Sequence, residues 1–284
     1  MIQLIDCPRD AMQGIKEFIP TEKKIALINQ LLRVGFHTLD FGSFVSEKAI
    51  PQLKDTHQVL TGLDLENTNT KLLAIVANTR GAEAACEYDE IDYVGFPFSI
   101  SETFQQRNTH SSISESFDRV KEIQDLCMRS RKQLVVYISM GFGNPYGDLY
   151  SPHIAAAWSE RLNQEIGVET IALSDTIGIA TPELISDLFS TLIPAMPNVT
   201  FGAHLHTTPD TWHEKIEAAF LAGCKRYDGA LLGFGGCPMA EDKLTGNMPT
   251  ENLIDYFEEK DLLYGIQKEP LQKAIQLSTE IYHV

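Results

Sequence analysis

The sequence predicts an α/β chain folded as a (β/α)8 TIM barrel with extra C-terminal helices, a single domain over residues 1–284. Three observations carry this. About eight short β-rich runs alternate with amphipathic helical stretches, the signature of a parallel sheet with right-handed crossovers. The first run leads into Cys7-Pro8-Arg9-Asp10, which lacks the glycine-rich turn of an open doubly wound sheet. Nearly every run ends on a polar group, as it does where a barrel's βα loops build a site.

The runs follow in order. Ile2 to Cys7 is the first strand, after which Thr21 is expected to cap a helix whose buried stripe is Ile25, Leu27, Ile28, Leu31 and Leu32. Further strands are expected at Thr38 to Phe44, Leu72 to Asn78, Tyr93 to Ser99 and Leu134 to Met140. Thr170 to Asp175, Thr200 to His206 and Arg226 to Leu232 complete the set. Helices are expected at Ile113 to Ser130, Ile154 to Ile166, Pro182 to Leu192 and Thr211 to Ala222, several of them preceded by Ser or Thr. Pro249 to Val284 reads as one or two helices covering the outside.

Composition narrows the function classes. A net charge of −16 argues against nucleic acid as a partner, while leaving room for a phosphorylated small ligand held by a few local cations. No window offers the ~20 continuous apolar residues of a membrane helix, and Met1-Ile2-Gln3-Leu4-Ile5-Asp6 lacks a secretory n-region, so a soluble cytoplasmic protein without membrane contact is expected. The five cysteines are scattered and include no Cys-x-x-Cys, which argues against a disulfide framework or structural zinc.

In a strand, residues i and i+2 share a face, so His204 and His206 project together. With Asp10 they form a carboxylate and two imidazoles, the facial set that holds a six-coordinate divalent cation. Hard oxygen and nitrogen donors favour manganese, magnesium, cobalt or iron over a thiolate-type zinc site, with magnesium or manganese expected first. A polar strand edge for the histidines and a turn-capping role for Asp10 are the plainer readings. Arg9 is either a cation placed to stabilise an enolate or carboxylate, or an ordinary ion-pair arginine. Cys237, in Gly233-Phe234-Gly235-Gly236-Cys237-Pro238, is a proton donor on a hinged loop or else a small packed thiol. Cys86, Cys127 and Cys224 read as packing thiols. Gln13, Asp40, Ser43, Ser139 and Asp175 lie close to the same strand ends and are expected to meet a substrate.

The chain resembles the 3-hydroxy-3-methylglutaryl-CoA lyase family of divalent-metal barrel lyases. The resemblance lies in Pro8-Arg9-Asp10-Ala11-Met12-Gln13, Ser43-Phe44-Val45-Ser46-x-Lys48, Ser174-Asp175-Thr176-Ile177-Gly178, His204-x-His206, Gly235-Gly236-Cys237-Pro238-x-Ala240 and Gly246-Asn247. It implies Asp10, His204, His206 and Asn247 as metal ligands, Arg9 as enolate stabiliser, Cys237 on the active-site loop and His204 among the catalytic groups. It also implies an acyl-CoA or 3-hydroxy acid substrate and a homodimer.

Several positions depart from the family pattern. Ala11-Met12 replaces Gly-Leu, Asp40 replaces Glu, Asn144 replaces Cys, and Thr207-Thr208-Pro209 replaces Asp-Tyr-Gly. The segment between Cys237 and Asn247 is longer and more charged. These changes keep two other readings open: a related aldolase acting on another 3-hydroxy acid or its CoA ester, and a silent ligand-binding barrel.

Overall fold

The computed structural model describes residues 1–236 and 245–282. Its strands are β1 (Gln3–Asp6), β2 (Thr38–Ser43), β3 (Lys71–Ile75), β4 (Tyr93–Ser99), β5 (Gln133–Ser139), β6 (Thr170–Asp175), β7 (Thr200–Thr207), β8 (Arg226–Gly229) and β9 (Gly246–Asn247). Parallel pairing runs β6-β5-β4-β3-β2-β1-β8-β7, and a further β6–β7 ladder closes the ring, which makes an eight-stranded barrel. Short β9 lies antiparallel on β7 and pairs Asn247 with His206.

The helices are α1 (Pro8–Gln13), α2 (Thr21–Leu32), α3 (Thr56–Thr61), α4 (Thr79–Cys86), α5 (Glu102–Thr109), α6 (Ile113–Arg129), α7 (Pro152–Ile166), α8 (Pro182–Ala195), α9 (Trp212–Leu221), α10 (Thr250–Glu259) and α11 (Lys268–Tyr282). Ser112 and Glu115 form a reciprocal capping box on α6, and Thr181 accepts from Leu184 N on α8, as the preceding Ser and Thr suggested. The terminal stretch forms two helices, of which α11 packs against α2. No helix among the described residues is long and apolar enough to cross a membrane.

Between barrel and helices lies one large apolar core. In α2, Leu27, Ile28, Leu31 and Leu32 are buried, and each such side chain contributes ~1.5–3 kcal/mol. Lys24 is buried with them, its ammonium donating to Asp55 at 2.7 Å and to the Gln52 carbonyl. Ile25 is only half-buried.

Four local expectations are corrected. Pro20 precedes the first helical residue, and Thr21 turns its hydroxyl to Asp55 Oδ2 at 2.8 Å instead of capping. Strand β1 stops at Asp6 because Pro8, with its φ preset, opens a helix; Arg9 and Asp10 therefore ride on the first turn of α1. Strand β3 stops at Ile75, and Asn78 caps α4 by accepting from Gly81 N, which removes it from the barrel mouth. Strand β8 ends at Gly229 and passes into a 3-10 turn at Leu231–Gly233.

Candidate active site

At the C-terminal end of the barrel a cavity of about 570 Å³ descends to Arg9, Asp10, His204 and His206. Its walls are largely apolar, with Val45, Ile75, Pro97, Phe104 and Tyr137 among them, and Lys16 and Lys54 lie along it as well. Gln13 and Ser139 line it, as do Ser174 and Thr176.

The floor is built by three elements. From α1, Arg9 donates Nε to both Asp40 oxygens at 3.1 and 3.0 Å, with its Nη2 on the same carboxylate. Its Nη1 donates to Asp10 Oδ1 at 3.0 Å and to Gln13 Oε1 at 2.9 Å. From β7, His204 and His206 stand on one face with ring centroids 5.6 Å apart. From β9, Asn247 Nδ2 donates to Asp10 Oδ2 at 2.7 Å and to the Phe234 carbonyl at 2.9 Å.

Electrostatics separates the titratable groups. Burial works to raise the Asp10 pKa, but Arg9, then His204, His206 and Asn247, overcome it and hold the carboxyl below its usual value. Burial, only partly offset by Arg9, lifts Asp40 to about 6. Burial and then neighbouring His204 push His206 down to about 4, leaving a neutral imidazole. Against the same burial, Asp228 raises His204.

This floor fits a divalent cation. Asp10, His204 and His206 each offer a ligand atom, and the three atoms lie within 4.8 Å of one another. Around them the buried carboxylates Asp10, Asp40 and Asp228 outnumber the buried guanidiniums Arg9 and Arg226 by one, an excess that a cation neutralises. Neutral imidazole and carboxylate oxygen are the donors such an ion takes.

Not every expected residue reaches the cavity. Asp40 faces Arg9 instead of the open space. Ser43 Oγ donates to the Ile75 carbonyl at 3.1 Å and accepts from Val45 N at 3.2 Å. Asp175 is fully buried, bound by Lys215 at 2.7 Å and by Ala180 N at 3.1 Å. Cys237 lies outside the described residues. Sequence reasoning missed Tyr137, Lys215, Arg226 and Asp228. The signal for the last two was present: charges two residues apart on an otherwise apolar strand point to one face.

A closed parallel barrel that sets a carboxylate, two imidazoles and a guanidinium around one cavity floor has the equipment of an enzyme that stabilises an enolate. The chain belongs to the HMGL-like family, whose model matches residues 1–278, and with it to the carbon–carbon lyases. Among its relatives, Hydroxymethylglutaryl-CoA lyase YngG of Bacillus subtilis is 34% identical over 94% of this chain and 88% of the relative. The mitochondrial hydroxymethylglutaryl-CoA lyase of Homo sapiens is 31% identical over 94% of this chain and 81% of its own length. A solved Bacillus subtilis HMG-CoA lyase superposes with a TM-score of 0.92 at 31% identity, covering 99% of this chain and 94% of that one. An Acinetobacter baumannii HMG-CoA lyase, solved with coenzyme A and 3-methylmalate, gives 0.89 at 30% identity over 100% and 92%. These likenesses favour the lyase reading over the silent barrel and the differently directed aldolase.

Proposed function

We propose that the protein cleaves a 3-hydroxy-3-methylglutaryl thioester of coenzyme A into acetyl-CoA and acetoacetate by retro-Claisen chemistry, all of residues 1–284 forming one catalytic unit. The observation that carries the reading is the meeting of Asp10, His204 and His206 within 4.8 Å on the cavity floor, with Arg9 bonded to Asp10. Asp10, His204, His206 and Asn247 are the ligand set, for magnesium or manganese. When bound, the cation supplies a Lewis acid that lowers the cost of ionising the substrate's tertiary hydroxyl.

The chain's own groups do the rest. Arg9, held rigid by Asp40, presents a fixed positive charge to the thioester enolate left by bond breakage, with no reorganisation at that moment. Gln13 is tied between Arg9 and Asp10 and keeps the α1 turn in place. Ser139, beside Ser174 and Thr176, offers hydroxyls to the substrate carboxylate. The apolar walls exclude water from the enolate. One proton leaves the hydroxyl and one returns to the enolate carbon; Cys237 is the group assigned to deliver the second, while His204, with one ring nitrogen on Asp228 and the other given to the ligand set, acts by holding the cation. Lys16 and Lys54 supply cations for the phosphates of the coenzyme.

A coupled assay of acetyl-CoA release from 3-hydroxy-3-methylglutaryl-CoA tests this, with magnesium or manganese present and after chelation. Release that stops on chelation and in Asp10→Asn and His204→Ala is expected. Full release in both variants would end this reading.

A further inference from the structure

Below the cavity floor, the barrel holds charges that the lyase reading leaves without a task. Asp228 is fully buried and commits its oxygens in opposite directions. Oδ2 lies 3.2 Å from His204 Nδ1, while Oδ1 accepts from Arg226 Nη1 at 2.7 Å. Arg226 Nη2 reaches the Tyr137 hydroxyl at 3.4 Å, and the Tyr137 ring stands edge-on to His204 at 5.6 Å and 81°.

Two rungs of one ladder produce this arrangement. Strands β7 and β8 pair His204 with Asp228 and Gly202 with Arg226. A Cβ at Gly202 would come within 2.6 Å of the Arg226 Nη1 and 3.1 Å of its Cδ. The glycine therefore hollows β7 to seat the guanidinium. Barrel interiors are ordinarily filled with branched apolar side chains, and a buried ion pair seldom stabilises more than such a filling would. Its presence calls for a further role.

We propose that Asp228, anchored by Arg226, is the positioning residue of His204, fixing the Nδ1–H tautomer and turning the other ring nitrogen toward Asp10 and His206. The pair also decides between two cation sites. Cys7, His204 and Asp228 bring three ligand atoms within 4.8 Å of one another as well. With Arg226 on the free oxygen of Asp228, that lower niche already holds a positive charge, so a cation settles above it. The inference rests on the metal reading of the preceding section.

Manganese titration of the full chain by calorimetry tests it, with circular dichroism to verify folding. Asp228→Asn is expected to weaken manganese binding ~10- to 100-fold, the usual effect of losing such a partner. Asp228→Asn leaves Arg226 facing a neutral amide; should it not fold, Asp228→Asn with Arg226→Met removes both charges together. In Arg226→Met, which keeps Cys7, His204 and Asp228 in the lower niche, cadmium is expected to produce the ultraviolet thiolate charge-transfer band of Cys7, and adding Cys7→Ser is expected to abolish it. A folded variant that binds manganese with the wild-type Kd overturns the positioning role. An Arg226→Met protein with no thiolate band overturns the steering role. Wild-type protein that binds no manganese brings down the metal reading itself, and this inference with it.

Discussion

Arg9 and Asp40 meet through both carboxylate oxygens, Nε donating at 3.1 and 3.0 Å, so the guanidinium is oriented from behind. Asp40→Ala is expected to destabilise the fold by ~3–5 kcal/mol, because Arg9 is left buried beside an empty space. Asp40→Asn keeps the shape and loses the charge, so kcat is expected to fall more than ten-fold at ~1–3 kcal/mol of stability. Denaturant unfolding and steady-state kinetics read the two effects. A wild-type midpoint for Asp40→Ala would show that the pair holds nothing.

Gly235, at φ +94°, sits where a Cβ would lie 2.8 Å from both Ala11 Cα and Asn247 Nδ2 and 2.9 Å from the Asp10 carbonyl oxygen. Two of those atoms are backbone and cannot swing aside. Gly235→Ala is expected to lower manganese affinity at least ~ten-fold by displacing Asp10 and Asn247. Gly147, at φ +77° in open space, carries the same left-handed strain without the collision. Gly147→Ala is expected to cost about 1 kcal/mol of stability and no affinity. Equal affinities in the two variants would refute the argument.

Asp175 and Lys215 separate a structural from a substrate role. Lys215 Nζ holds Asp175 at 2.7 Å, and the carbonyls of His206 and Gly178 at 2.8 and 3.1 Å. Asp175→Asn is expected to cost ~3 kcal/mol and lower Tm by roughly 10 °C. KM for the thioester is expected to stay within about two-fold. A raised KM with an unchanged Tm would restore Asp175 to the substrate.

Asp6 is a pH lever away from the chemistry. Burial raises its pKa from 3.8 to about 7, although the Thr250 hydroxyl, 2.5 Å away, pulls it down. The folded value exceeds the unfolded one, so the associated stability is complete below about pH 4 and is lost as pH rises through about 7. Asp6→Asn mimics the protonated acid. It is expected to match wild type near pH 4 and to exceed it by ~2–4 kcal/mol at pH 8. Unfolding curves across that range, with a constant difference between the proteins, would contradict this.

The alternation of β and α elements was legible because period-2 and period-3.6 patterns are local. For the same reason His204 and His206 could be placed on one face before any coordinates. Asp10 was legible as a member of the floor but not as a helical residue, since the strand-to-helix change occurs at one proline. Buried charge was the harder part. Lys24 finds Asp55 across 31 positions and Lys215 finds Asp175 across 40, so neither lysine looks different from a solvated one in the sequence. Ser43 and Asp175 sit at strand ends as expected, yet their side chains turn into the wall, and strand position alone does not encode that direction.

The pairing of β9 with β7 fixes Asn247 opposite His206. It anchors the far end of the 237–244 segment to the same strand that carries the imidazoles, while Gly235 anchors the near end against α1. The two flanks, Gly235 and Asn247, thus rest on the two elements that bring the carboxylate and the imidazoles of the floor together.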